Sequence, residues 1–245
     1  MAMRIGLTYI NELNVRRTRE LKRVLNDYKG FPMEALPGLV SNAFKEDYLP
    51  NLYERLYLRV GRPIAQLTAE QVAKKSYGAW EVKSRNPVWD EALKRYVEDT
   101  ATSKIVTVTN TMKDFIFTSI QSATSSVGQG MGIEAATQAL IKGALTDWAG
   151  AKEWMARRIV LTESLSAMSV ASDVSARSLD IPLTKTWVTA GINTREAHAA
   201  MDGETVDLND FFYPDGEQMS YPRDGSFGAS PGNIINCSCT AIYDA

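Results

Sequence analysis

Thr186-Trp187-Val188-Thr189, Asn193-Thr194-Arg195-Glu196-Ala197-His198, Asp202-Gly203 and, near the end, Asn236-Cys237-Ser238-Cys239 mark where the character of the chain changes. Before Pro182 apolar residues recur at helical spacing. After it they alternate in short runs between turn formers. The fold class read from this contrast is predominantly α-helical, with a small α+β C-terminal domain. Three regions follow: 1–85, an N-terminal helical region; 86–182, a long-helix region; and 183–245, a compact α+β module. Within the module 186–189 reads as a strand, and 193–196 caps a short helix running to Ala200. Residues 204–208 read as a second strand, 214–232 as loop, and 239–243 as a last strand. The module also holds the only histidine and both cysteines of the chain.

The 245 residues suffice for one large or two modest cores, and the composition is that of a soluble globular protein. No apolar run approaches a membrane span, and Met1 to Tyr9 lack a signal-peptide pattern. Two cysteines do not make a disulfide framework. The net charge of −2 hides an asymmetry. From Leu183 onward three bases face nine acids, so the module carries −6 and the rest of the chain +4. An acidic module is a poor phosphate clamp. Any contact with DNA would fall to the helical part, where Arg16, Arg17, Arg19, Lys22 and Arg23 cluster on the first helix, Asn11 to Tyr28. Interleaved with acids, they read more simply as a solvated helix face.

Upstream, Gly30-Phe31-Pro32 stops the first helix and Leu36-Pro37-Gly38 makes a second break. Phe44, Tyr48, Leu52, Leu56 and Val60 then recur every fourth residue, with a kink or split expected at Pro50 and an end at Gly61-Arg62-Pro63. Thr68-Ala69-Glu70-Gln71 has capping-box spacing and opens a short helix to about Tyr77. Asn86-Pro87 starts the next element, whose stripe from Trp89 to Ile120 predicts about 33 helical residues, roughly 50 Å. The β-branched run 105–109 breaks from that preference. Ser125 to Gly132 is a small-residue linker without phosphate-loop chemistry. A short helix, 133–145, and a longer one, from Ala151 to about Leu179, complete the helical part.

Glu163 interrupts the small and apolar face of that last helix. It either reaches water at an edge or is buried against a donor, for which Arg195 and His198 are the candidates. Cys237 and Cys239, two apart, would face one side of a strand. A direct bridge between them would close a tight, strained ring; they are otherwise two small core residues, or with His198 and an acid such as Asp202 a zinc set, or a nucleophile with His198 as base. The spacing fits no strong zinc signature, and a lone histidine with a cysteine is a weak sign of catalysis. No cofactor is expected on the first of these readings, and zinc on the second.

The ordered set is recognisable. Arg158 to Thr162-Glu163, Trp187, Thr194-Arg195 with His198 and Met201-Asp202-Gly203, and Asn236-Cys237-Ser238-Cys239 resemble, in order and spacing, motifs of the phage minor head proteins, the Mu F-like head morphogenesis family. The resemblance covers roughly Gly132 to the C-terminus. Ser238 departs from it, standing where the family has an arginine. The resemblance implies a structural, non-enzymatic virion protein, located in the capsid interior or portal region and present in several copies. Its implied partners are the portal protein and capsid or scaffold proteins, with packaged DNA and its ejection as further roles. The family domain also occurs beside toxin or transferase domains, and none is expected after Ala245. Thr162, Glu163, Trp187, Arg195, His198, Asp202, Gly203, Asn236, Cys237 and Cys239 are then structural motif residues. The alternative is a zinc module with hydrolase-like activity built on His198, Cys237 and Cys239.

Overall fold

A computed structural model of the chain describes residues 8–9, 11–12, 15–16, 18–20, 22–23, 49–77, 86–100, 158, 162–191 and 194–245. The stops at 30–32 and 36–38, the stripe beyond 100 with its β-branched run, the linker 125–132, the helix 133–145, Arg17 and Asn193 lie outside the described residues. The chain divides into two compact units, one of residues 1–7, 50–101 and 158–245 and the other of 8–49 and 102–157. In the second unit the described residues between 8 and 23 are helical. Arg16 pairs with Glu12 at 3.2 Å and Arg23 with Glu20 at 3.0 Å along that helix.

The first unit is predominantly helical and carries a small three-stranded sheet near the C-terminus. Helix α1, Leu49–Tyr77, runs without interruption through Gly61, Arg62 and Pro63. The expected stop at 61–63 is therefore not there. Pro50 lies in the first turn, where its missing N–H has no helical partner to lose. Pro63 does forfeit one backbone bond and crowd the preceding turn, at about 3 kcal/mol. The helix survives because the residues on both sides are buried: Leu56, Val60, Ala65, Ala69 and Val72 keep one apolar face across the proline. Thr68 is not a cap either, since it lies mid-helix and its Oγ1 donates to Ser172 Oγ at 3.1 Å.

Helix α2 (87–100) starts as the sequence predicts. Asn86 Oδ1 accepts the Val88 amide at 3.0 Å, with Pro87 in the first helical position. Helix α3 (162–177) ends in a turn closed by Asp180 in the left-handed region. The three helices meet at Gly61. A Cβ there would lie 2.8 Å from Leu93 Cδ1 and 3.3 Å from Ala171 Cβ, so the glycine is a point of close approach. Polar stitches flank this contact. Arg62 grips Asp90 with two bonds of 2.7 Å, Ser175 Oγ donates to the Ala65 carbonyl, and Trp89 Nε1 donates to Ser178 Oγ at 3.0 Å.

Strand β1 (Thr184–Val188) is central in the sheet, with β2 (Thr205–Asp207) and β3 (Thr240–Asp244) antiparallel on either side. Lys185 stands opposite Val206 on one neighbour and Tyr243 on the other. The buried face of β1 leads from one core to another. Leu183 packs with Val72, Ala176, Leu208 and Tyr243, tying the sheet to the helices. Trp187 packs with Met201, Phe212, Met219, Cys237 and Cys239. Between them Lys185 is fully buried, its ammonium donating to the Ser220 carbonyl at 2.7 Å and lying 5.4 Å from the Phe212 ring centre. A lysine inside a strand core is costly unless its protons are taken, and Asp173, paired with Arg177 at 2.7 Å, adds a favourable charge. Burial lowers the Lys185 pKa to about 8.

Candidate functional site

Two one-turn helices present the polar centre of the module. α4 (Glu196–Ala199) starts after Arg195, whose extended backbone is the N-cap. This is later than the start read from Asn193. It turns His198 inward, and Gly203, with φ of 80°, reverses the chain afterwards. α5 (Pro231–Ile234) opens with proline in the first turn where a plain loop was expected, and it buries Asn233. Arg195 Nη2 donates to the Ile235 carbonyl, joining the end of α5 to the start of α4. Asn236 takes a left-handed backbone, with φ of 56°, and so swings the two cysteines back under β1.

His198, Cys237 and Cys239 converge there. His198 Nδ1 lies 3.4 Å from Cys237 Sγ and 3.5 Å from Cys239 Sγ, and the three donor atoms all fall within 4.8 Å of one another. Both cysteines are free thiols, and the three side chains are only 1–3% exposed. On its other side the imidazole Nε2 lies 3.0 Å from Asn233 Oδ1. The Asn233 amide nitrogen donates to Glu217 Oε2 at 2.7 Å, which leaves its oxygen to face the histidine. Glu217 Oε2 also accepts the Ser230 amide at 2.8 Å. Those bonds, from Asn233 first, hold the Glu217 pKa below the usual range.

Charge within the cluster is unevenly shared. The hydrogen bond from Cys239, with help from His198 and Arg223, lowers the Cys237 pKa to about 4. The same bond and burial raise that of Cys239. The His198 pKa is raised, chiefly by its bond to Cys237. Trp187 stands edge-on to the imidazole, with ring centres 5.5 Å apart. Among the described residues its buried indole N–H donates to no oxygen or nitrogen.

Arg223 closes the site from beneath. It is 2% exposed, with φ of 71°, and its guanidinium donates to the carbonyls of Cys237, Cys239 and Leu165 and to Ser169 Oγ. It thereby fastens the cysteine segment to α3. The strained backbone at 223, costing about 1–3 kcal/mol, is fixed by those four bonds. Asp224 supports the turn by accepting the Ser220 and Ser226 amides. A second tie runs from the Asn236 amide to Thr162 Oγ1 at 3.1 Å.

The candidate residues therefore separate. Thr162, Trp187, Arg195, His198, Asn236, Cys237 and Cys239 come together. Glu163 does not join them: it is 6% exposed, not at a watery edge, and its Oε2 accepts the Tyr57 hydroxyl at 2.7 Å. Burial first, then the Glu163 carboxylate, raises the Tyr57 pKa well above its usual value. Arg195 and His198, expected beside Glu163, are engaged elsewhere. Asp202 is no ligand of the cluster, because it is exposed and its Oδ1 accepts the Thr189 amide at 2.7 Å. Ser238 is exposed too, so a larger side chain there would face solvent. Arg223, Asn233 and Glu217 were not anticipated. The one available hint was Arg223 itself, one of three bases among nine acids, in the turn Pro222-Arg223-Asp224-Gly225.

No protein-family model, no curated protein and no solved structure matches this chain.

Proposed function

We propose that the chain is a structural, non-enzymatic minor head protein of a tailed bacteriophage, held at the portal and capsid interior and acting in head morphogenesis. The carrying observation is the convergence of the motif set behind the resemblance. Thr162 bonds Asn236 across 74 positions of sequence, and Trp187 stands against His198, which lies between Cys237 and Cys239. Residues used this way fold and fasten a module. The burial of His198 and both thiols favours attachment over the hydrolase alternative. Among the described residues no helix is long and apolar enough to cross a membrane. The portal protein is the expected partner, with several copies of this chain in each head. The paired Arg16–Glu12 and Arg23–Glu20 side chains favour a solvated helix face over DNA contact there.

The test is direct. Heads purified from the parent phage should contain the chain in several copies and yield cross-links between it and the portal protein. Mature heads free of the chain would end the reading as a lasting virion component.

A further inference from the structure

The geometry points to a zinc site formed by His198 Nδ1, Cys237 Sγ and Cys239 Sγ. This goes beyond the head-protein reading and does not depend on it. Zinc bonds of about 2.0–2.1 Å to nitrogen and 2.3 Å to sulfur, at tetrahedral angles, put nitrogen and sulfur roughly 3.6 Å apart and two sulfurs roughly 3.8 Å apart. The two nitrogen–sulfur distances, 3.4 and 3.5 Å, already stand at that separation. All three donors lie within 4.8 Å of one another, close enough to share one ion.

The surroundings fit the same ion. The Asn233 amide nitrogen donates to Glu217 and to the Pro214 carbonyl, Asn233 turns its oxygen to His198, and the imidazole therefore keeps its proton on Nε2. The Nδ1 lone pair is left facing both sulfurs. A ligand histidine fixed through its other nitrogen is the usual support of a bound metal. Arg223 fixes the other two donors by holding the carbonyls of Cys237 and Cys239. Two thiolates and one neutral imidazole around a divalent cation leave no net charge stranded in the core. Binding releases to solvent whatever protons the cluster still holds and leaves both sulfurs as Zn–S ligands. No fourth His, Cys, Asp or Glu among the described residues joins the set.

The full chain, purified without chelator or metal-affinity resin and kept reduced by a non-chelating phosphine, should carry one zinc per chain. Replacing zinc with cobalt(II) should give thiolate-to-cobalt charge-transfer absorption and the strong visible bands of a tetrahedral site. Chelator should lower the melting temperature, and added zinc should restore it. Asn233→Ala, which leaves all three donors in place, should weaken zinc binding about 10–100-fold. Cys237→Ser and Cys239→Ser should each abolish the cobalt–thiolate bands. Wild-type protein that neither contains zinc nor develops these bands with cobalt would overturn the site, whether or not any variant folds. That result would leave the head-protein reading intact, and a chain absent from mature heads would leave the zinc site intact.

Discussion

Around Gly61 three helices are held by close contact between small side chains, whereas the C-terminal module is held by buried cations and amides aimed at backbone carbonyls. In the first region Gly61, Ala65, Ala69 and Ala171 let the helix backbones approach, and the hydroxyls of Ser175 and Thr68 bridge them. In the second, Lys185, Asn233 and His198 are buried on a short strand and two one-turn helices, and Arg223 on a turn between them. The difference teaches where tolerance lies. A helical seam responds in proportion to volume, because it is a matter of packing. The module depends on a few donors, whose removal would leave buried acceptors orphaned, several of them at Arg223.

The largest effect should come from Arg223. Arg223→Met keeps much of the volume but removes every donor from the carbonyls of Cys237, Cys239 and Leu165. A loss of about 3–5 kcal/mol is expected, as for breaking a buried charged group out of its network. Urea denaturation measures it, and amide exchange at 237–244 should rise before exchange in α1. A loss below about 1 kcal/mol would erase the contrast between the two regions.

Lys185 tests the same contrast through pH. Its ammonium is opposed by burial and by Arg177, and favoured by Asp173, Asp224 and Asp210. Its pKa in the fold, about 8, lies below the 10.5 of an ordinary lysine. Between those values the unfolded chain binds more protons, so stability from this group rises with pH across that window. The full shift corresponds to on the order of 3 kcal/mol. Lys185→Met has no such group. Wild type should therefore gain on the variant from about pH 8 upward, read from paired denaturation curves. A gap independent of pH would mean that the lysine keeps its solvation.

How much was legible in advance follows the same division. The helical class, the start of α2 at Asn86-Pro87 and the small sheet after Pro182 came from periodicity and caps, which are local. Gly61-Arg62-Pro63 does not stop the helix, although glycine and proline are local breakers. The buried face from Leu56 through Val60 to Ala65 and Ala69 runs straight across them. Leu93 and Ala171, which require the glycine, are distant in sequence. In the module, His198, Cys237 and Cys239 were grouped correctly because they are rare. Asp202 was added by proximity in sequence, which says nothing about direction. Arg223 and Asn233 were missed, since neither periodicity nor motif marks a side chain whose partners are carbonyls and amides of other segments.

Gly61→Ala sharpens the helical half of the comparison. Alanine gains about 1 kcal/mol of helix propensity, but its methyl meets Leu93 Cδ1 at 2.8 Å, and overpacking costs about 1–3 kcal/mol. A net loss of up to about 2 kcal/mol is expected. In a Leu93→Ala background the same change should be neutral or stabilising. The coupling in that double-mutant cycle separates steric contact from propensity, and strict additivity would remove Gly61 from the seam.

The smallest effect belongs to Asp202, and it separates the two roles that the sequence allowed it. The carboxylate is exposed and accepts one amide, from Thr189. Water replaces such a bond readily, so Asp202→Ala should cost only about 0.5–1 kcal/mol. Asp202→Asn keeps an oxygen for the Thr189 amide and should melt within a degree or so of wild type. Neither change should alter zinc content, because the acid lies outside the His198, Cys237 and Cys239 set. If Asp202→Asn instead lost the metal while folding normally, the carboxylate would be a ligand after all. The turn at Asp202-Gly203 would then have to close onto the cluster when the ion binds, and the module would be held by its metal before its arginine.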